Sequence, residues 1–289
     1  MFENKKNTEM QQWCGQTIRF DPDSSPTAWE YFKKVYSHNE YLSKHYDFSN
    51  LFFYNEYRNF GLKCGFFNGK VWLNYVNKPL KNNYNRLYIL QKGTQTISKN
   101  GTEYIIASNR LGGDCDFNFN DKKCNLFTEI IQTDNTSSER EKTEATIQLA
   151  RCKDMHHRCL NFSLIQALGN LQYCKGSDLL DRHDTFIYAL DKYYRDRGIS
   201  NAILRFSSPN NEPALISFLN DFKDIYEYCA AFYFITDKRF VDEIIKQGSQ
   251  PITNVKELVR YMNLAKEYWS EKEKNITLMP DIDLLYLSE

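Results

Sequence analysis

The chain has 289 residues, of which 42% are hydrophobic, 26% charged and 15% aromatic. With only 12 Gly and 7 Pro, this balance excludes disordered, collagen-like and low-complexity classes. Lys+Arg and Asp+Glu both number 37, so net charge singles out no polyanionic or polycationic partner.

A chain of this length buries a sizeable core without staples, and 20 Tyr and 20 Phe predict an unusually aromatic one. No run of about 18 apolar residues occurs, so no membrane-spanning helix is expected. The start, Met1 to Lys6, is polar with no apolar stretch behind it, and no signal peptide is expected. The eight Cys (Cys14, Cys64, Cys115, Cys124, Cys152, Cys159, Cys174 and Cys229) are scattered without a CxxC spacing. Reduced thiols and a cytoplasmic location are the expectation.

Residues 1–18 are polar and read as an arm. Ser25 caps, and Pro26 opens, a helix over roughly 26–37 in which Trp29, Phe32 and Tyr36 recur at helical spacing. From about residue 50 the texture is β-prone. Val71–Val76 and Arg86–Leu90 read as strands, and Gln95–Lys99 and Thr102–Ala107 flank the hairpin dipeptide Asn100-Gly101. Leu111 to Asp114 reads as a turn, Leu126–Gln132 as a further strand, and the polar stretch Thr133–Thr143 as a linker or exposed loop. Beyond it the period lengthens. Leu179, Leu180, His183, Phe186, Ile187, Leu190, Tyr193 and Tyr194 form an amphipathic stripe ended by Gly198. Pro213 opens a second helix running through Leu215, Leu219, Phe222, Tyr226 and Cys229. Phe240 to Ile245 form a third, stopped by Gly248, and Thr253 or Asn254 caps a fourth that reaches Trp269. The order predicts an α+β fold with a β-rich middle and a helical C-terminal half. Its expected parts are the arm (1–18), a helix plus β-rich segment (19–135) and a mainly helical segment (144–289) packed with the β-rich part as one unit.

Between Glu56 and Glu103 there is no acidic residue. The window 57–102 holds Arg58, Lys63, Lys70, Lys78, Lys81, Arg86, Lys92 and Lys99, interleaved with aromatics that include Trp72. Cations that neutralise phosphates, beside rings that stack bases, are what single-stranded nucleic-acid binding requires. The same lysines would also discourage strand edges from pairing.

Three clusters could carry chemistry. Cys152, His156, His157 and Cys159 lie within eight residues, and thiolate plus imidazole is a zinc ligand set, with Cys115 or Cys124 as a fourth donor. Asp114 and Asp116, with Asp121 and Glu129, could form a carboxylate site for magnesium, as nucleases use. His183, within Asp181-Arg182-His183-Asp184, falls on an apolar helix stripe and is expected to be a buried histidine paired with a carboxylate rather than an acid–base catalyst. No P-loop, GxGxxG, GxSxG, HExxH or EF-hand pattern occurs.

The segment Asp21-Pro22-Asp23-Ser24-Ser25-Pro26-Thr27, the stretch Asp181 to Phe186 followed by Tyr193-Tyr194, and the aromatic run Phe218–Asp237 together resemble a bacterial domain-of-unknown-function family. The resemblance implies a single intracellular unit and carries no assigned activity or catalytic residue. The expectation is an intracellular, non-enzymatic protein that binds another macromolecule, with a protein partner and no cofactor. Its richness in Asn, Lys, Ile, Phe and Tyr, as in AT-rich bacterial or phage genomes, makes phage–host conflict an admissible setting. The alternative is a single-stranded nucleic-acid-binding protein, or a metal-dependent nuclease, that uses the window 57–102.

Overall fold

A computed structural model describes residues 35–53, 62–67, 70–75, 87–91, 95–99, 102–106, 110–166, 171, 175, 181–196, 203 and 212–278. Of the predicted site residues, Arg58, Lys78, Lys81, Arg86 and Lys92 lie outside them, as do the arm and most of the helix expected over 26–37.

The fold is α+β. Its eight described strands are β1 (Tyr46–Phe53), β2 (Leu62–Phe67), β3 (Lys70–Tyr75), β4 (Leu87–Gln91), β5 (Gln95–Lys99), β6 (Thr102–Ile106), β7 (Arg110–Cys115) and β8 (Phe162–Gln166). They make two antiparallel sheets, ordered β1-β4-β7-β8 and β2-β3-β6-β5. The predicted hairpin is present: β5 and β6 pair from Gln95↔Ile106 to Lys99↔Thr102 on either side of Asn100-Gly101. The β1–β4 pairing shifts register between Tyr46 and Leu51.

The expected turn at Leu111 to Asp114 is instead strand β7, paired in register with β8 from Leu111↔Gln166 to Cys115↔Phe162. Gly113 serves packing. A Cβ at Gly113 would lie 2.1 Å from the ring of Phe162, so only glycine lets that ring lie across the strand.

The expected strand at Leu126–Gln132 is instead part of helix α2 (Asp121–Thr133), for α1 is Glu40–His45. The Asn120 side chain accepts from the Lys123 N–H and starts α2, and Phe127 and Ile131, four residues apart, are buried. The expected loop at Thr133–Thr143 is confined to residues 134–138; the rest of its length belongs to α2 and to α3 (Glu139–Met155), which is opened by a reciprocal capping box between Ser138 and Glu141.

The segment expected to be mainly helical also supplies a strand the sequence reading missed, β8, but its described residues beyond 181 are helical, as the periodicity predicts. It contains α4 (His183–Asp196), α5 (Glu212–Asn220), α6 (Ile225–Tyr233), α7 (Lys238–Gly248) and α8 (Val255–Thr277). The single helix expected from Pro213 to Cys229 is two, because the Asp224 side chain accepts from the Glu227 N–H and begins α6 afresh. Asn254 rather than Thr253 caps α8. No described helix is long and apolar enough to cross a membrane.

Distant side chains seal the end of α6. Phe234 takes a left-handed conformation at φ 58°, strained for a bulky residue. Three side chains satisfy carbonyls there: Tyr36 Oη donates to Phe232 (2.8 Å), Asn39 Nδ2 to Ala231 (2.6 Å) and Asn275 Nδ2 to Phe234 (2.6 Å). The core is as aromatic as the composition predicts. Phe117 touches the rings of Tyr261, Tyr268 and Trp269, while Phe218, Phe222, Tyr228 and Phe232 form a second cluster.

Gly248 ends α7 where that helix meets α4. A Cβ there would lie 2.0 Å from the Asp184 carbonyl oxygen, so its role is close approach as well as helix termination.

Candidate functional site

Strand alternation puts Asp114 and Asp116 on one side of the β7 segment and Cys115 on the other. On the first side, charges are enclosed by the helices. Asp116 Oδ2 accepts from Lys272 Nζ (2.9 Å) and Ser163 Oγ (2.8 Å). Lys272, on α8, also donates to the Phe162 carbonyl (2.8 Å) and Ser163 Oγ (2.7 Å), so its ammonium has three acceptors. Both charged groups are essentially inaccessible, at 2% and 1% side-chain exposure. Burial alone would raise the Asp116 carboxyl, but the Lys272 ammonium and the Ser163 hydroxyl bring it below its ordinary range. It is an ionised member of a sealed ion pair.

Asp114 belongs to a second knot. Lys175 Nζ donates to Asp181 Oδ1 (2.8 Å) and to the Cys115 carbonyl, and lies 3.8 Å from Asp114 Oδ2. Burial pushes the Asp114 carboxyl up to about 6 against the pull of Lys175, with Asp181 and Asp116 adding to the rise. Asp121 is exposed and pairs with Lys153 at 2.7 Å. Asp114, Asp116, Asp121 and Glu129 therefore do not converge as the expected magnesium site: two are tied to buried lysines and Asp121 faces outward on α2.

His183 is fully buried among Phe117, Tyr233 and Tyr268, with centroids at 5.0, 4.7 and 4.9 Å. Neither ring nitrogen has a hydrogen-bond partner. Burial pushes its pKa down to about 3, so the imidazole is neutral. The expected carboxylate pairing is made by its neighbours instead. Arg182 holds Asp184 through two hydrogen bonds of 2.6 and 3.1 Å and also donates to the Gln250 carbonyl at 3.0 Å. The Asp-Arg-His-Asp run thus clamps the start of α4 to the chain after α7. His183 touches no exposed surface and has no proton acceptor, so acid–base catalysis has no support in its surroundings.

The predicted Cys/His cluster is divided. Cys152, on α3, and Cys159 are fully buried, and Cys124 is buried with its thiol donating to the Phe119 carbonyl at 3.1 Å. Among the described residues, one group of three metal-ligating side chains comes together: Cys115, His156 and His157, whose ligand atoms all lie within 4.8 Å of one another. Cys115 ends β7, and the two histidines occupy the turn after α3. Burial pushes the His156 pKa down to about 4, aided by neighbouring His157.

Lys63, Lys70 and Trp72 lie on strands of the second sheet. The register pairs Lys63↔Asn74, Gly65↔Trp72, Phe67↔Lys70, Trp72↔Tyr104 and Lys99↔Thr102. Residues directly opposite share a face, and so do alternate residues along a strand. Lys63, Lys70, Lys99, Trp72, Tyr104 and Phe67 therefore occupy positions of one face. Leu62, Cys64, Phe66, Val71, Leu73, Tyr75, Ile105 and the acidic Glu103 take the other.

Two groups escaped sequence reasoning. Lys272 falls on the buried stripe of α8 with Ala265, Tyr268, Trp269 and Ile276. A lysine in such a stripe is a readable sign of a buried ion pair. Lys175 carries no comparable periodic signal.

Comparison with family models, with curated proteins and with solved structures finds no match to this chain.

Proposed function

We propose that the protein is a non-enzymatic macromolecule-binding protein whose ligand is single-stranded nucleic acid, taken on one face of the β2-β3-β6-β5 sheet. The register carries this reading. It collects Lys63, Lys70 and Lys99 with Trp72, Tyr104 and Phe67 at positions of one face, and assigns Glu103, the one acidic residue of these four strands, to the other. Cations spaced between rings on a sheet suit a phosphate backbone with stacked bases, and such stacking tolerates any sequence. The state of the other candidates supports binding over chemistry: Asp116 is sealed against Lys272, and His183 is enclosed by aromatic rings.

The test is fluorescence anisotropy of labelled single-stranded DNA and RNA at several salt concentrations. Three lysines on phosphate give a log–log slope of about −2, or roughly a 20-fold loss of affinity between 50 and 200 mM salt. Trp72→Ala removes one stack and weakens binding by about 1–3 kcal/mol. Absence of binding at 50 mM salt, or binding unchanged by Trp72→Ala and by salt, refutes the proposal.

A further inference from the structure

We propose that Cys115, His156 and His157 form a zinc-binding site, independent of the sheet face. The ligand atoms already lie within 4.8 Å of one another. Tetrahedral zinc with bonds of about 2.0–2.3 Å sets its ligand atoms about 3.3–3.8 Å apart. Closure therefore needs a shift of about 1 Å, within reach of the exposed His157 side chain.

Consecutive residues on a helix diverge by about 100°, so adjacent histidines do not ordinarily act together. Here the chain leaves α3 at this point. The His156 N–H bonds to the Lys153 carbonyl in a tightened last turn, and the two imidazoles stand 4.4 Å apart. The third donor comes from another element. The Cys115 thiol lies against this turn, its Sγ 3.5 Å from the His156 carbonyl oxygen.

The surroundings are organised. Buried Asn161 donates through Nδ2 to the His156 carbonyl (2.9 Å) and to the Phe117 carbonyl (2.8 Å), and its Oδ1 accepts from Trp269 Nε1 (2.9 Å). One core asparagine thus fastens the histidine turn to the chain just beyond Cys115. The Phe119 N–H donates a long hydrogen bond (3.4 Å) to His156 Nδ1, which a metal on that nitrogen displaces, and the Phe117 carbonyl lies beside the ring. A backbone carbonyl beside the imidazole is the outer partner that orients metal-bound histidines.

The chemistry selects the ion. One thiolate and two neutral imidazoles suit borderline-soft zinc and not magnesium or calcium, which take oxygen. On binding, the Cys115 thiol gives its proton to solvent and the sulfur becomes the third ligand. Three protein ligands leave a fourth position for water or an incoming group. Cys152 and Cys159, though near in sequence, stay in the core and take no part.

The test uses the full chain, free of any affinity tag and stripped with a chelator, titrated with Co(II) and then Zn(II). The expected result is one equivalent of Co(II) with a thiolate-to-cobalt charge-transfer band and the visible bands of a tetrahedral site, displaced by one equivalent of Zn(II). Cys115→Ser should abolish the charge-transfer band. His157→Ala, at an exposed position that leaves the fold intact, should weaken Zn(II) binding by at least about 100-fold, beyond the 10–100-fold typical of outer partners. Cys152→Ala should retain both. No Co(II) binding, a spectrum without the thiolate band, or binding unchanged in His157→Ala overturns the site.

Discussion

The two sheets use the same residue types for opposite ends. Beneath β7 and β8, Asp116 meets Lys272 from a distant helix, and Asp114 and Asp181 meet Lys175. Along β2-β3-β6-β5, Lys63, Lys70 and Lys99 occupy one face, and the strands' one acidic residue is on the other. Charge in the first region is spent on holding helices to strands. In the second, no acidic position of those strands shares the lysines' face. A formal net charge of zero therefore hides two different economies of charge.

The sharpest way to break the contrast is to unpair the sealed region. Lys272→Met alone strands the Asp116 carboxylate in the core and should destabilise the fold by about 3–5 kcal/mol, read by urea unfolding. Lys272→Met with Asp116→Asn should recover most of that loss, since removing both charges of a buried pair is often close to neutral. Equal destabilisation by the single and the double variant would show that the pair is not what holds α8 to β8.

Acid probes the same region through its histidines. Folded His183 (about 3) and His156 (about 4) stay neutral where unfolded histidine, near 6.5, takes up a proton, so both contribute stability that falls as pH drops below about 6.5. Asp114 works the other way. Its folded pKa of about 6 lies above the unfolded value near 3.9, so between those values the folded state binds the extra proton. Two protons taken up by the unfolded chain against one by the folded chain leave a net loss of at most about 1.4 kcal/mol per pH unit from about pH 6 to 4, lessened by Asp184, whose carboxyl burial also raises. Urea unfolding across that range, with chelator present, should give this slope, and His183→Leu should flatten it.

A packing test comes next in size. Gly248→Ala places a methyl against the Asp184 backbone and should destabilise by about 1–3 kcal/mol, seen as a lower Tm. The smallest stability effect belongs to the sheet face. Lys63→Ala, Lys70→Ala and Lys99→Ala should each change stability by no more than about 0.5 kcal/mol, while together they remove the salt dependence of nucleic-acid binding. A large drop in Tm from these three would move the lysines into the structural class of Lys272.

Local signals were legible where they were self-contained. Asn100-Gly101 between β-prone runs predicts the β5–β6 pairing, and the spacing of Phe186, Ile187, Leu190 and Tyr194 predicts α4. The errors arose where one pattern fits two structures. Leu126, Phe127, Ile130 and Ile131 are β-prone residues that also recur at helical spacing, and the Asn120 cap decides for the helix. Ser138 and Glu141 spell a capping box inside a stretch that composition alone marks as loop. Gly112 and Gly113 look like a turn until β8 pairs with them and Phe162 lies across Gly113. Asp224 divides one apolar run into α5 and α6 by offering a cap.

The sequence by itself determined the α+β class, the element types with strong period or caps, the aromatic core and the acid-free window. These depend on neighbours within a few residues, where the backbone's 3.6 and 2 periodicities fix which side chains share a face. Only the tertiary structure decided which charges neutralise one another, that Cys115 rather than Cys152 or Cys159 meets the two histidines, and that His183 sits among rings without a hydrogen bond to a carboxylate. Asp116 and Lys272 are 156 positions apart. Contacts of that reach are set by strand order and helix packing, which no local window of the chain contains.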